Sequence, residues 1–330
     1  MDTSPLLTAL GGLPGPNNLQ DHPAFLRACH SPWRFIPQNI LVIIRGVLLA
    51  IIVAIGVMIA HYKVHEESEF TSWRHLFDFS ILSFVTVFLY HLITFSWTFT
   101  HLYYPHREDC VGGFESWIVA AMSLPGNMAS LRKQFYFTMF YTAAVVGAFM
   151  NSTIYWFITR QRDTGDAAEH ENFDWVVVAE DEELYWPKVS GPLPDAPFSD
   201  LFGEGWFNVF VIVALYAITS GLMVIEVFWL NSIKRPNAIG THVLGLLFLA
   251  GLYLGWAAIG HLLTGWFPFF WLDEAQVGSQ EAVAAYCIGF VLLAPMMYIL
   301  MQGFVAVREG FTRSLSRARA EAAAEEALDS

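Results

Sequence analysis

The stretch TSWRHLFDFSILSFVTVFLYHLITFSWTFTHLYYP, from Thr71 to Pro105, decides the fold. Thr71 and Ser72 offer hydroxyls that cap free backbone N–H groups at a helix start. About 25 mostly apolar residues follow, enough to cross a ~30 Å hydrocarbon layer at about 1.5 Å per residue. Yet the run carries Asp78, His91 and His101, and a central Asp costs about 2.5–3.5 kcal/mol at membrane depth. His91, Thr94, Thr98 and His101 step by three, four and three, which aligns them on one helix face. Asp78 lies about 220° around the helix from His91. A helix polar on two sides packs inside a bundle. Its polar groups either bond neighbouring helices or line a polar cavity.

The rest of the chain fits that setting. Of its 330 residues, 55% are hydrophobic and only 14% charged, against about 25% charged in soluble domains. The expected fold is an all-α integral membrane protein with six transmembrane helices. They run from Asn39 to His61, from Thr71 to Pro105, and from Phe135 to Ile158. The others run from Trp206 to Leu230, from Ile239 to Thr264 and from Ala282 to Val305. This gives a flexible, interfacial N-terminal segment (1–38), a transmembrane domain (39–305) and a charged tail (306–330). With no apolar run near Met1, the first membrane helix serves as the signal. Residues His30 to Pro37, HSPWRFIP, suit the membrane interface. Cys29 beside them is either a plain thiol or a palmitoylation site. Arg45 is expected to snorkel to the interface. Gly251 and Gly255, spaced GxxxG, would permit close helix approach. Pro295 marks an expected kink. Asn151-Ser152-Thr153 matches a glycosylation sequon but falls inside a membrane helix.

The acidity is local. Residues 159–205 hold twelve Asp and Glu against Arg160, Arg162 and Lys188. Phe173 to Val178 and Leu184 to Val189 read as two short strands around an acidic turn. Both termini are expected in the cytosol, because eleven Lys and Arg then lie inside and five outside. The acidic loop then faces outward. The setting is the endoplasmic reticulum, another endomembrane or the plasma membrane. No large basic face exists for nucleic acid, and Cys29, Cys110 and Cys287 are too few for a disulfide framework.

Soluble-enzyme motifs are missing: no Walker loop, GxSxG, HExxH or CxxC occurs. His91 with His101, and His242 with His261, are spaced too unequally for two stacked haems. The expectation is no cofactor and no metal. Tyr216, Thr219 and Glu226 share one face of the fourth helix. A cavity lined by Asp78, His91, Thr98, Tyr216, Glu226 and His261 is the candidate site. His91 with Thr94, and His261 with Thr264, are i,i+3 pairs able to combine a base with a hydroxyl nucleophile.

Four stretches carry a resemblance. These are FTSWRHLFDFS (Phe70 to Ser80), LRKQFYF (Leu131 to Phe137), LYAITSGLMVIE with a Pro ten residues on (Leu215 to Pro236), and GHLLTGWFPFF (Gly260 to Phe270). Their order resembles the androgen-induced gene one family of six-helix membrane proteins, with the rolling-stone-like proteins as neighbours. The resemblance covers roughly residues 70–307. It implies a membrane-embedded hydrolase of fatty acid esters, using a Thr nucleophile and a His. Here the Thr position falls on Phe77 and the His position on Tyr216. Phenylalanine has no nucleophile, and a phenol is a poor base at neutral pH. Three readings follow: a bundle that binds or scaffolds membrane lipid without that pair, a lipid ester hydrolase with relocated Thr and His, or a small-molecule transporter.

Overall fold

A computed structural model describes residues 23–65, 73–104, 113–125, 128, 130–160, 206–235 and 239–329. Among them six helices are long and apolar enough to cross a membrane, so the chain is an all-α multi-pass membrane protein. The spans are Gln38–His61, Phe79–Tyr103, Leu131–Thr159, Val209–Leu230, Ile239–Thr264 and Gln280–Leu315. No strand occurs among the described residues. The expected acidic hairpin, the sequence-read cap at Thr71 and Ser72, and Cys110 lie outside them.

In chain order the helices are α1 (Ala24–Ala28), α2 (Gln38–His65), α3 (Phe79–Tyr103), α4 (Phe114–Met122) and α5 (Leu131–Ile154). There follow α6 (Trp206–Val213), α7 (Thr219–Ile225), α8 (Ile239–Thr264), α9 (Glu274–Val277) and α10 (Gln280–Asp329). Single π turns extend α5 over Tyr155–Thr159, join α6 to α7 over Ala214–Ile218, and close α7 over Glu226–Leu230. The third span is central: 61% of its most apolar window is buried, against 44% or less in the others. It packs against α3, α7, α8 and α10. Its small residues Ala144, Ala148 and Thr142 let these neighbours close in.

Three expectations are corrected. The second span begins at Phe79, not Thr71. Asp78 is its N-cap, accepting the Ser80 N–H at 2.8 Å, so this carboxylate sits at the helix start rather than at membrane depth. A short 3-10 turn over Arg74–Leu76 precedes it. Next, the N-terminal segment is not a free tail where it is described. Phe25, Leu26, Ala28 and Cys29 are buried, and Phe25 packs its ring against Trp97 and Phe137. Arg45 does not snorkel: it is 2% exposed and ion-paired. In keeping with the helical pattern of the charged tail, α10 runs past Val305 to Asp329, with Pro295 inside it.

Close backbone approach occurs at a different glycine from those the GxxxG spacing suggests. A methyl group at Gly251 or Gly255 meets open space, whereas one at Gly260 collides with the Phe77 ring. That ring packs against Trp256, and the adjoining carbonyls of Leu76 and Phe77 accept hydrogen bonds from Trp256 Nε1 and Tyr253 Oη, each 3.0 Å. Gly260→Ala is therefore expected to cost about 1–3 kcal/mol by overpacking. Gly251→Ala should be neutral or slightly stabilising. Thermal unfolding of the two variants in one detergent checks the contrast.

Candidate functional site

Among the described residues two polar regions stand out, at opposite ends of the bundle. The first surrounds the end of the fourth span. A helix leaves its last four carbonyls without intrahelical partners. Here each carbonyl from Val227 to Leu230 receives a side chain. Arg308 Nη1 donates to Val227 at 2.7 Å and Trp33 Nε1 to Phe228 at 2.7 Å. Ser31 Oγ donates to Trp229 at 2.6 Å, and Arg45 Nη2 to Leu230 at 2.8 Å. Two arginines at a helix C-terminus also suit its partial negative charge.

Arg45 does more. Its guanidinium donates to the Ala28 and Thr94 carbonyls and to Thr98 Oγ1, and pairs with Glu226 Oε1 at 3.2 Å. Glu226 is 0% exposed and accepts further bonds from Tyr90 Oη at 2.8 Å and Asn231 Nδ2 at 3.4 Å. Arg308 reaches Asn231 and the Ile233 carbonyl. Arg45, Glu226, Asn231 and Arg308 thus each bond a neighbouring element, though Arg45 Nε gives and Glu226 Oε2 accepts no hydrogen bond among the described residues. This end is a structural lock tying α1, α2, α3, α7 and α10 together.

Cys29 belongs to that lock. Burial pushes its thiol up to about 12, the nearby Arg45 only partly opposing it. The buried sulfur is not placed for acylation, which corrects the palmitoylation reading. Alkylation at pH 8 should spare Cys29 in folded protein and label it after denaturation, as mass spectrometry can verify. The sign for stability follows. Above an ordinary thiol pKa of about 8.5 the unfolded chain ionises while the folded thiol keeps its proton. Cys29 therefore lowers stability as pH rises from there toward 12.

The second region lies at the start of α3 and the end of α5. A cavity of about 390 Å3 is walled by Asp78, Ser80, Asn151, Thr159, Tyr216 and Gln276, with Tyr155, Trp266, Pro268, Phe269 and Phe270. Two π turns build it. Such turns disrupt the ordinary helical ladder and recur at functional sites. One supplies Tyr155 and Thr159; the other supplies Tyr216. The Tyr155 and Tyr216 rings stack at 3.9 Å and 6°. The second π turn also leaves the Leu215 carbonyl to Asn151 Nδ2 at 3.2 Å. Ser80 Oγ donates to Tyr216 Oη at 3.0 Å.

Two apolar clefts flank this cavity. One, of about 590 Å3, lies among α3, α5, α8 and α10, with Leu82, Gly147, Ala250, Tyr253 and Phe290 on its walls. The other, of about 510 Å3, lies between α5 and α10, beside Ile154, Phe157, Ala285, Gly289 and Leu293.

The expected site residues are therefore divided. Asp78 and Tyr216 line the polar cavity. His91, Thr98 and Glu226 lie in or beside the lock, and His261 stacks on Phe267 at 3.7 Å. One cavity lined by all six does not form, because Asp78 and Thr98 stand about 30 Å apart along α3. The side chains of the Thr/His pairs do not bond each other. Thr94 Oγ1 donates to the Tyr90 and His91 carbonyls, His91 Nδ1 lies 2.9 Å from the Val87 carbonyl, and Thr264 Oγ1 donates to the Gly260 carbonyl. Phe77, at the resemblance's Thr position, is buried against Trp256 and Gly260. Sequence reasoning missed Ser80, Asn151, Thr159 and Gln276. Asn151 is 2% exposed, so its sequon is sterically closed.

The chain matches no protein-family model, no curated protein and no solved structure.

Proposed function

We propose that this bundle binds a membrane lipid and does not hydrolyse it. It would be an androgen-induced gene one-like protein that holds Phe77 and Tyr216 at the positions of the Thr and His. The observation that carries the reading is a polar cavity and an apolar cleft walled by consecutive residues at the start of α3. Asp78 and Ser80 wall the cavity, while Phe79 between them walls the cleft. That division suits a molecule with one wet end and one apolar end. The volumes fall within the roughly 300–1,000 Å3 of ligand pockets.

A hydrolytic reading draws on one contact, the Ser80 hydroxyl on the Tyr216 phenol. A serine nucleophile needs a base, and the described walls hold no His or Lys beside it. Binding is the better reading. Lipid extraction from protein purified in mild detergent, followed by mass spectrometry, tests it. A defined lipid should remain at about one per chain. Protein that is folded and free of lipid would end the proposal. A fluorophosphonate that labels wild type but not Ser80→Ala would replace it with the hydrolase.

A further inference from the structure

The larger apolar cleft leaves one polar group unanswered. Ser83 stands on its wall and is 6% exposed, yet its Oγ has no hydrogen-bond partner among the described residues. The threonines of the same helix behave otherwise. Thr86, Thr94, Thr98 and Thr100 each give their hydroxyl to the carbonyl four residues back. On the facing wall, Tyr253 Oη and Trp256 Nε1 are engaged with the Phe77 and Leu76 carbonyls. No described residue of the cleft carries a charge. Across from Ser83 stands Gly147, where a Cβ would lie 3.5 Å from Oγ. The hydroxyl thus faces a position of the cleft wall with no side chain to answer it. A hydroxyl proton without an acceptor is costly in apolar surroundings. What the cleft lacks is an acceptor, and a carbonyl oxygen is one.

Depth indicates which carbonyl. Ser83 lies about 7.5 Å along α3 from the Asp78 cap. Trp256 and Tyr253 bond the chain just before that cap, and such aromatic side chains sit at headgroup level. Ser83 is therefore just inside the hydrocarbon, where an acyl chain joins its headgroup. From there the apolar wall continues inward. On α8 it runs from Ile259, next to the contact of Gly260 with Phe77, to Leu246, about 20 Å deeper.

We infer that Ser83 selects acyl lipids: its hydroxyl donates to the carbonyl at the head of an acyl chain, and the chain lies in the larger cleft. The inference rests on the lipid-binding reading above and adds the linkage that the site recognises. An acyl carbonyl comes from an ester or an amide; an ether-linked chain has none. The probes are dioleoylphosphatidylcholine, its dioleyl ether analogue and N-oleoylsphingomyelin, all with a phosphocholine head. Each is added in matched detergent micelles to the full-length protein, and occupancy is read by native mass spectrometry.

Wild type should prefer the ester lipid to its ether analogue by about fivefold or more. Ser83→Ala should narrow that preference to about twofold or less. Freed of lipid, Ser83→Ala should unfold at or above the wild-type temperature, since it drops an unpaired hydroxyl and alanine favours the helix. Binding of the sphingomyelin alone, weakened by Ser83→Ala, would assign the carbonyl to an amide and uphold the inference. Equal binding of ester and ether by wild type overturns it, as does an unchanged preference in Ser83→Ala. A fall in stability beside the lost preference would make Ser83 a packing contact and overturn it too. If none of the three binds folded wild type, this inference fails. Recovery of another lipid on extraction would then still uphold the lipid-binding reading.

Discussion

Arg45→Ala is expected to destabilise the bundle by about 3–5 kcal/mol, the cost of breaking a buried ion pair from one side. The loss has three parts. Glu226, fully buried, keeps its Tyr90 and Asn231 bonds but loses its cation. The Leu230 carbonyl loses its cap at the end of the fourth span. The Ala28 carbonyl loses the contact that holds α1 on the bundle. Arg45→Lys should rescue little, because an ammonium cannot reach the five acceptors that the fixed fork of the guanidinium serves. Replacing both partners, Arg45→Met with Glu226→Gln, should recover much of the loss, since no buried charge is then left unpaired. Thermal unfolding in detergent reads all four proteins. A single variant as stable as wild type would mean that the ion pair does not hold the bundle.

The six spans are legible because an apolar run of about 20 residues is the strongest pattern a chain can carry. What joins them is harder to read. Arg45 and Glu226 each stand out as one charge in an apolar helix, yet 181 positions separate them, and nothing local to either announces the other. The stripe of His91, Thr94 and Thr98 reads equally well as cavity or contact. Its threonines turn out to bond carbonyls of their own helix and to meet Arg45. Arg308 counts as a tail cation because it follows the apolar run. A subtler signal was present: Tyr298, Met301, Val305 and Arg308 step by three, four and three. All four are buried on one face of α10. The helix start at Asp78 is hidden because Phe77 and Leu76 continue the apolar pattern to its N-terminal side. The π turns that expose Tyr216 and Thr159 have no pattern signature, so Asn151 reads as a sequon rather than as the partner of a freed carbonyl.

Gly147→Phe is expected to lower lipid recovered with the purified protein by about tenfold or more. Gly147 lies on the wall of the larger cleft, and a Cβ there would sit 3.5 Å from Ser83 Oγ, an ordinary contact. A methyl group therefore fits, and Gly147→Ala should keep its lipid. A phenyl ring extends beyond that contact into the space assigned to an acyl chain. Blocking and misfolding predict opposite stabilities. Within a membrane, helices gain from close van der Waals packing rather than from exclusion of water. A ring that occupies the cleft supplies such contacts, and Phe also favours the helix over Gly by a few tenths of a kcal/mol. Emptied of lipid, Gly147→Phe should thus unfold at or above the wild-type temperature, while its lipid content falls. Lower stability together with lower lipid would indicate damage to the third span. Unchanged lipid in a stable Gly147→Phe protein would remove this cleft as the chain's seat, and with it the strongest support for a lipid-binding bundle.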